Sequence, residues 1–268
     1  MYWRDGQPVE RISVSDRSFQ YGDGCFTTIL TKDGKLQLWA QHVKRMEHAL
    51  RQLAIDPVDW NALRDDIENR ALPDPQAGIK LHVSRGEGGR GYSAQVHRGP
   101  FVTISCFEYP QNYDELRENG IEMTISEVKL GHSPILAGLK HNNRLEQILA
   151  KSDVENAGYL DGIVLDFKGN VIETTMANLF WVKGKQVFTP ELSLAGVSGV
   201  MREQVLELLN ALGQSVTVDH FTAETLLDAD EVFVTNCILG VAPVTKIREV
   251  EFSKGSLTKQ IQEKLSLC

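Results

Sequence analysis

The sequence predicts a mixed α+β (α/β) protein of two domains, and three observations predict it. Strand-like and helix-like segments alternate over residues 1–109, residues 110–120 lose apolar periodicity, and a second series of strands and helices fills residues 121–268. The expected layout is a small N-terminal α/β domain over 1–109, an interdomain linker over 110–120 and a larger C-terminal domain over 121–268. At 268 residues the chain is long enough for that plan.

In the first part, R-I-S-V-S-D-R ends in polar residues, and Y-G-D-G-C-F-T-T-I-L reads as a glycine-marked turn entering a strand. Residues 40–54 place Val43, Met46, Leu50 and Leu53 at helical spacing, with Lys44, Arg45, Glu47 and Arg51 elsewhere. A second helix is expected over 58–71, ended by P-D-P. In G-I-K-L-H-V-S-R, residues Ile79, Leu81, Val83 and Arg85 share one face because side chains alternate along a strand. F-V-T-I-S-C-F-E-Y is a near-continuous apolar run, as in a strand inside a sheet. Between these two strands, R-G-E-G-G-R-G-Y reads as a glycine-rich loop carrying Arg85, Arg90 and Tyr92.

The second part opens with strand E-M-T-I-S-E-V and the junction A-G-L-K-H-N-N-R-L-E-Q, whose helix ends near Ala157 and Gly158. D-G-I-V-L-D-F, V-I-E-T-T and N-L-F-W-V-K-G-K-Q-V-F-T-P read as successive strands with tight turns. V-M-R-E-Q-V-L-E-L-L-N-A-L is a helix stopping at Gly213. Strand S-V-T-V, a short helix, strand E-V-F-V-T-N and V-A-P-V-T-K-I follow.

Composition limits the function. Apolar residues make up 42% and charged residues 24%, as in a soluble globular protein. A formal charge of −8 argues against a general nucleic-acid or anionic-membrane surface, so any anionic ligand must be held by a few local cations or backbone amides. Cys25, Cys106, Cys237 and Cys268 show no metal-ligand spacing, and the histidines form no ligand set, so no metal is implied. With no apolar leader and no run long enough to span a bilayer, the cytoplasm is the expected compartment, with the cysteines as free thiols.

Lys140 lies where a strand-like segment meets a helical one, after Gly138 and Leu139 and beside His141, Asn142 and Asn143. A lysine amine at a partly desolvated junction has a lowered pKa and can form a Schiff base with an aldehyde; a solvated loop charge is the alternative. Pyridoxal phosphate is the aldehyde most often used this way, and it needs an acid for its ring nitrogen and a cradle for its phosphate. Glu173, at a strand end among Thr174, Thr175 and Asn178, is a candidate for the acid. G-V-S-G-V-M-R opens a helix whose free amides suit a phosphate. Taken singly, each feature also has an ordinary structural explanation.

F-Q-Y-G-D-G-C-F, H-V-K-R-M, L-K-H-N-N-R-L-E-Q, G-N-V-I-E-T-T-M-A-N-L-F, G-V-S-G-V-M-R and E-V-F-V-T-N follow one another in order. Together they resemble the fold-type IV pyridoxal-phosphate enzymes, the group of branched-chain and D-amino-acid aminotransferases and 4-amino-4-deoxychorismate lyases. The resemblance spans roughly residues 2 to 250. It implies two domains with pyridoxal 5′-phosphate in the cleft between them, the larger C-terminal domain binding the cofactor. By it, Lys140 matches the Schiff-base lysine, Glu173 the carboxylate on the ring nitrogen and Arg45 a phosphate-binding arginine. Val200 and Met201 match the helix-start amides on the phosphate, and Asn236 with Cys237 match a second phosphate-side turn. It also implies a homodimer.

Within the group, D-G-C-F-T-T, S-R-G-E-G-G-R-G-Y and K-H-N-N-R-L-E-Q are similar to the lyase pattern, whereas the aminotransferases commonly carry Glu straight after the aromatic of the first motif. Here that stretch is Phe26-Thr27-Thr28. The resemblance therefore implies conversion of 4-amino-4-deoxychorismate to 4-aminobenzoate and pyruvate, on the route to folate; a D- or branched-chain amino-acid aminotransferase is the alternative. Thr28 is the candidate for relaying a proton near the leaving group, or simply a β-branched strand residue. Arg90 and Tyr92 are candidates for gripping a substrate carboxylate, since an arginine fork suits one. Asn143 and Arg144 are candidates for orienting the lysine or the substrate, and Tyr109 for a place in the pocket. Cys25 and Cys237 are candidates for places near the cofactor, with inert packing the more usual role of a buried thiol.

Overall fold

A computed structural model describes residues 1–266, so Cys268 lies outside the described residues. The chain divides into two compact units. One is Met1–Pro110 together with Leu139–Asn143; the other is Gln111–Gly138 together with Arg144–Cys268. The Lys140 segment thus belongs to the first unit, although the chain on both sides of it belongs to the second.

The first unit contains strands β1 (Tyr2–Arg4), β2 (Gln7–Pro8), β3 (Gly24–Lys32), β4 (Lys35–Leu36), β5 (Ala77–Ser84), β6 (Glu87–Arg90), β7 (Ser93–Arg98) and β8 (Phe101–Glu108), with helices α1 (Arg17–Tyr21), α2 (Trp39–Gln52) and α3 (Trp60–Arg70). Six strands form an antiparallel sheet in the order β2-β1-β8-β5-β3-β4. Directly opposed residues of β3 and β5 pack on one face: Cys25 with Val83, Thr27 with Leu81, Ile29 with Ile79, all fully buried. Phe26, Thr28 and Leu30 point to the other face and are only half-buried. Helix α2 covers the buried face through His42, Met46, Ala49 and Leu50. This differs from the expected Val43/Met46/Leu50/Leu53 stripe, because a histidine, polar by composition, is taken into the interior.

Two further differences have physical reasons. The glycine-rich segment expected to be a loop is a separate two-stranded hairpin, β6 with β7. Its residues are mostly exposed, so no apolar alternation marks it in the sequence. Helix α1, unseen in the sequence, is capped by the Asp16 carboxylate, which accepts from the Ser18 and Phe19 amides.

The second unit contains helices α4 (Tyr113–Asn119), α5 (Leu145–Asn156), α6 (Val200–Ala211), α7 (Ala223–Leu227) and α8 (Ser256–Ser266). Its strands are β9 (Ile121–Ile125), β10 (Asp161–Leu165), β11 (Val171–Thr174), β12 (Asn178–Lys183), β13 (Gln186–Pro190), β14 (Val216–Asp219), β15 (Glu231–Asn236), β16 (Gly240–Ile247) and β17 (Val250–Glu251). They form one mixed sheet in the order β11-β10-β9-β16-β15-β12-β13-β14, with β17 on β16. Both faces are covered: Phe180 and Phe233 stack at 5.1 Å on one, while Trp181 packs against Phe188 and Phe221 on the other. Helix α4 occupies most of the stretch read as a linker; Tyr113 and Leu116 pack against the core, two apolar contacts too few to show as periodicity.

Candidate active site

In the first unit, residues 139–143 lie along the edge of β3. The Phe26 amide donates to the Lys140 carbonyl at 2.9 Å and the Asn142 amide to the Gly24 carbonyl at 2.9 Å. Asn142 Nδ2 also donates to Ser18 Oγ at 2.8 Å and to the Val83 carbonyl at 3.4 Å. Gly24 is what admits this crossing, because a Cβ there would sit 2.1 Å from the Val83 carbonyl and 2.4 Å from Asn142 Nδ2. The Lys140 ammonium is thereby carried to 4.8 Å from the centre of the Phe26 ring, and Lys80 Nζ lies at the same distance from that ring.

On the other face of β3, Arg45 of α2 donates to Thr27 Oγ1, which lies 2.6 Å from His42 Nδ1. Burial pushes the His42 pKa well down, and the positive charges of Arg45 and Lys140 push it further. One buried imidazole therefore senses both cations. Thr28, the proposed relay, is half-buried on the Phe26 face, opposite Lys80. Its neighbour Thr27 makes the buried contacts.

The hairpin carrying Arg90 and Tyr92 is anchored from within. Arg17, buried in α1, donates to the carbonyls of Gly88, Gly91, Ser93 and Tyr92 and to Asp23 Oδ2 at 2.8 Å. The same carboxylate oxygen takes Arg85 Nε at 2.7 Å. Burial alone would raise the Asp23 pKa; hydrogen bonds from Arg85 and Arg17 outweigh it and hold the carboxyl below its ordinary value. The Tyr92 side chain is 92% exposed, in edge contact with Tyr21, and Arg90 is exposed. Asn143 donates to the Gly22 carbonyl at 3.1 Å, and Tyr109, just past β8, is half-buried.

In the second unit, Glu173 of β11 is 6% exposed, and its Oε2 accepts the Val197 amide at 2.9 Å. The 196–199 turn is tied back to the chain before Lys140: Gly138 donates to the Gly196 carbonyl at 3.0 Å and Ser198 to the Gly138 carbonyl at 2.9 Å. Gly199 is the N-cap of α6 and supplies no side-chain cap. A Cβ at Gly199 would sit 2.0 Å from Asn178 Oδ1, whose Nδ2 donates to the Val197 carbonyl at 2.8 Å. Val200 is buried and Met201 half-buried at the first helical positions. Asn236 Oδ1 accepts the Ile238 and Leu239 amides at 2.9 and 2.8 Å, which closes the β15–β16 turn beside the half-buried Cys237. Arg144 stands at the N-cap of α5, half-buried. Burial pushes the Cys25 thiol up to about 12, so this cysteine is inert packing.

The residues present fit a pyridoxal phosphate. An amine and a guanidinium act on one buried imidazole in a chain whose net charge is −8, so the first unit holds local cationic character of the kind an anionic ester needs. A buried carboxylate suits a protonated ring nitrogen, and a helix start without a side-chain cap, kept tight by Gly199, suits a phosphate. The contributors that sequence reading missed are Thr27, His42, Asn142 and Arg17. The Thr27-Thr28 doublet is the one signal that could have found the first, since adjacent strand residues face opposite ways.

The chain is 50% identical over 270 residues, 99% of this chain and 100% of the relative, to the aminodeoxychorismate lyase of Vibrio harveyi. It is similar in structure to the 4-amino-4-deoxychorismate lyase of Pseudomonas aeruginosa, with a TM-score of 0.92 and 36% identity over 99% of this chain and 98% of that one. A putative branched-chain-amino-acid aminotransferase of Methanocaldococcus jannaschii is 31% identical over 95% of this chain and 90% of its own length. Residues 24–247 match the family described as amino-transferase class IV, a span running from the first residue of β3 to the last of β16, and the chain belongs to that family.

Proposed function

We propose that the protein is an aminodeoxychorismate lyase that uses pyridoxal 5′-phosphate to release pyruvate from 4-amino-4-deoxychorismate and leave 4-aminobenzoate. The observation that carries this reading is the end-to-end 50% identity with a lyase, against 31% and 26% for the aminotransferases among the relatives.

The bound cofactor supplies an electron-accepting ring. Lys140 would anchor it, and its amine would be the base that removes the proton from substrate C4. Glu173 would keep a proton on the ring nitrogen. Arg45 and the amides of Val200 and Met201, with the Asn236–Cys237 turn, would hold the phosphate, as the family resemblance implies. Loss of the C3 enolpyruvyl group makes the carbocycle aromatic, and a proton delivered to the enol methylene carbon completes pyruvate. Thr28 relays that proton, Arg90 and Tyr92 bind a substrate carboxylate, and Tyr109, Asn143 and Arg144 orient the substrate. The lyase works as a cytoplasmic homodimer; among the described residues no helix is long and apolar enough to cross a membrane. Leu145, Ile148 and Leu149, exposed along one side of α5, support self-association.

The test is incubation of pure protein with 4-amino-4-deoxychorismate and no keto acid. Release of equal amounts of pyruvate and 4-aminobenzoate is the expected result. Turnover only of an amino acid with 2-oxoglutarate would make it an aminotransferase instead. Borohydride reduction followed by peptide mapping should label Lys140, and a label on another lysine would remove the anchor assignment.

A further inference from the structure

We propose that His42 is a positioning residue acting through Thr27: its imidazole accepts the hydrogen bond of the Thr27 hydroxyl, which turns the hydroxyl lone pairs to Arg45 and holds the guanidinium ready for a phosphate. The inference deepens the proposed function, since it rests on Arg45 as a phosphate ligand.

The argument is a count of donors and acceptors. A guanidinium has only N–H donors, so in the Arg45–Thr27 contact the hydroxyl oxygen accepts. The hydroxyl has one proton of its own, and Thr27 is fully buried, so that proton needs a protein acceptor. His42 Nδ1, 2.6 Å away, is in place to accept it. Nδ1 is then unprotonated and the ring proton sits on Nε2. An imidazolium would instead aim a second donor at the hydroxyl and strand the hydroxyl proton. Burial and the charges of Arg45 and Lys140 oppose the imidazolium as well. Thr27 lies on β3 and His42 and Arg45 on consecutive turns of α2, so the relay is built between rigid elements.

A guanidinium held before the anion arrives has less rotamer freedom to lose on binding, worth about a 3- to 10-fold gain in phosphate affinity. The first measurement is nitrogen-15 NMR of histidine-labelled full-length protein between pH 6 and 8. The expected spectrum shows His42 as the neutral Nε2–H tautomer throughout, changed in Thr27→Val. An Nδ1–H tautomer or an imidazolium at pH 7 overturns the proposal. The second is titration of cofactor-free protein with pyridoxal 5′-phosphate and, separately, inorganic phosphate. His42→Leu should weaken both about 3- to 10-fold, and His42→Asn, whose amide oxygen can stand in for Nδ1, should restore most of the loss. Wild-type affinity in His42→Leu overturns the positioning role. Wild-type affinity in Arg45→Gln would instead overturn the phosphate reading of Arg45, with the tautomer in Thr27→Val still reporting the relay by itself.

Discussion

The Lys140 ammonium and the Phe26 ring centre are 4.8 Å apart, and the backbone joins the same two residues through the Phe26 amide and the Lys140 carbonyl. The aromatic of the first motif is thus both the edge that fixes the lysine's segment and the surface on which its amine rests. Replacing Phe26 by Leu keeps apolar bulk and backbone pairing but removes the ring face, worth about 1 kcal/mol to a cation. The expected result is an about 3- to 10-fold fall in kcat with little change in fold stability. Steady-state kinetics beside a denaturation curve checks it; unchanged kcat would mean the ring does not position the amine.

The start of α6 allows a test by one methyl group. Gly199 has an ordinary φ of −69°, so alanine meets no backbone strain there, yet its Cβ would fall 2.0 Å from Asn178 Oδ1. Gly199→Ala should therefore displace the helix start, with an overpacking cost of about 1–3 kcal/mol. Cofactor affinity should fall about tenfold or more, read from the absorbance of a pyridoxal 5′-phosphate titration. Unaltered affinity would show that these amides do not bind the phosphate.

Asp23 joins two arginines that tie α1, the hairpin and the end of α2 into one assembly, since Arg85 also donates to the Leu53 and Ala54 carbonyls at 2.6 Å. Asp23→Asn leaves both guanidinium groups without a countercharge in a mostly buried setting. The expected loss is about 2–4 kcal/mol of unfolding free energy by urea titration. Arg17→Gln should release the hairpin without touching Lys140, which predicts a raised KM at a near-normal kcat if Arg90 and Tyr92 bind substrate.

Two histidines set an acid limit on stability. Burial, with help from the Lys80 charge, pushes His82 down to about 4, and burial pushes His42 well down. Both folded-state values lie below the unfolded value of 6.5, so the unfolded chain binds more protons between the two. The stabilisation is complete above pH 6.5 and is lost as pH falls; the His82 share of that loss is complete by about pH 4. Each group contributes a slope of up to about 1.4 kcal/mol per pH unit in its window. His82→Gln should flatten the pH dependence between 6.5 and 4 relative to wild type. Equal slopes would show that His82 does not titrate this way.

The candidate site was legible where short patterns encode its residues. Lys140 after A-G-L, Glu173 at a strand end and G-V-S-G before an amphipathic helix are each readable within a dozen residues. The hairpin at 87–98 and helix α4 were not, because neither carries a repeating apolar face. Arg17 was invisible for another reason: its partners, Gly88 to Ser93, lie some seventy residues away in the chain.

By itself the sequence determined most of the order of strands and helices, and it singled out the lysine, the carboxylate and the helix start as candidates, since periodicity and capping are local properties of the chain. Only the tertiary structure decided that Thr27 rather than Thr28 meets Arg45, that His42 belongs to the interior, and that residues 139–143 pair with β3. A strand's two faces are chemically equivalent until something covers one of them. Here helix α2 covers one, and a short segment from far along the chain takes the open edge.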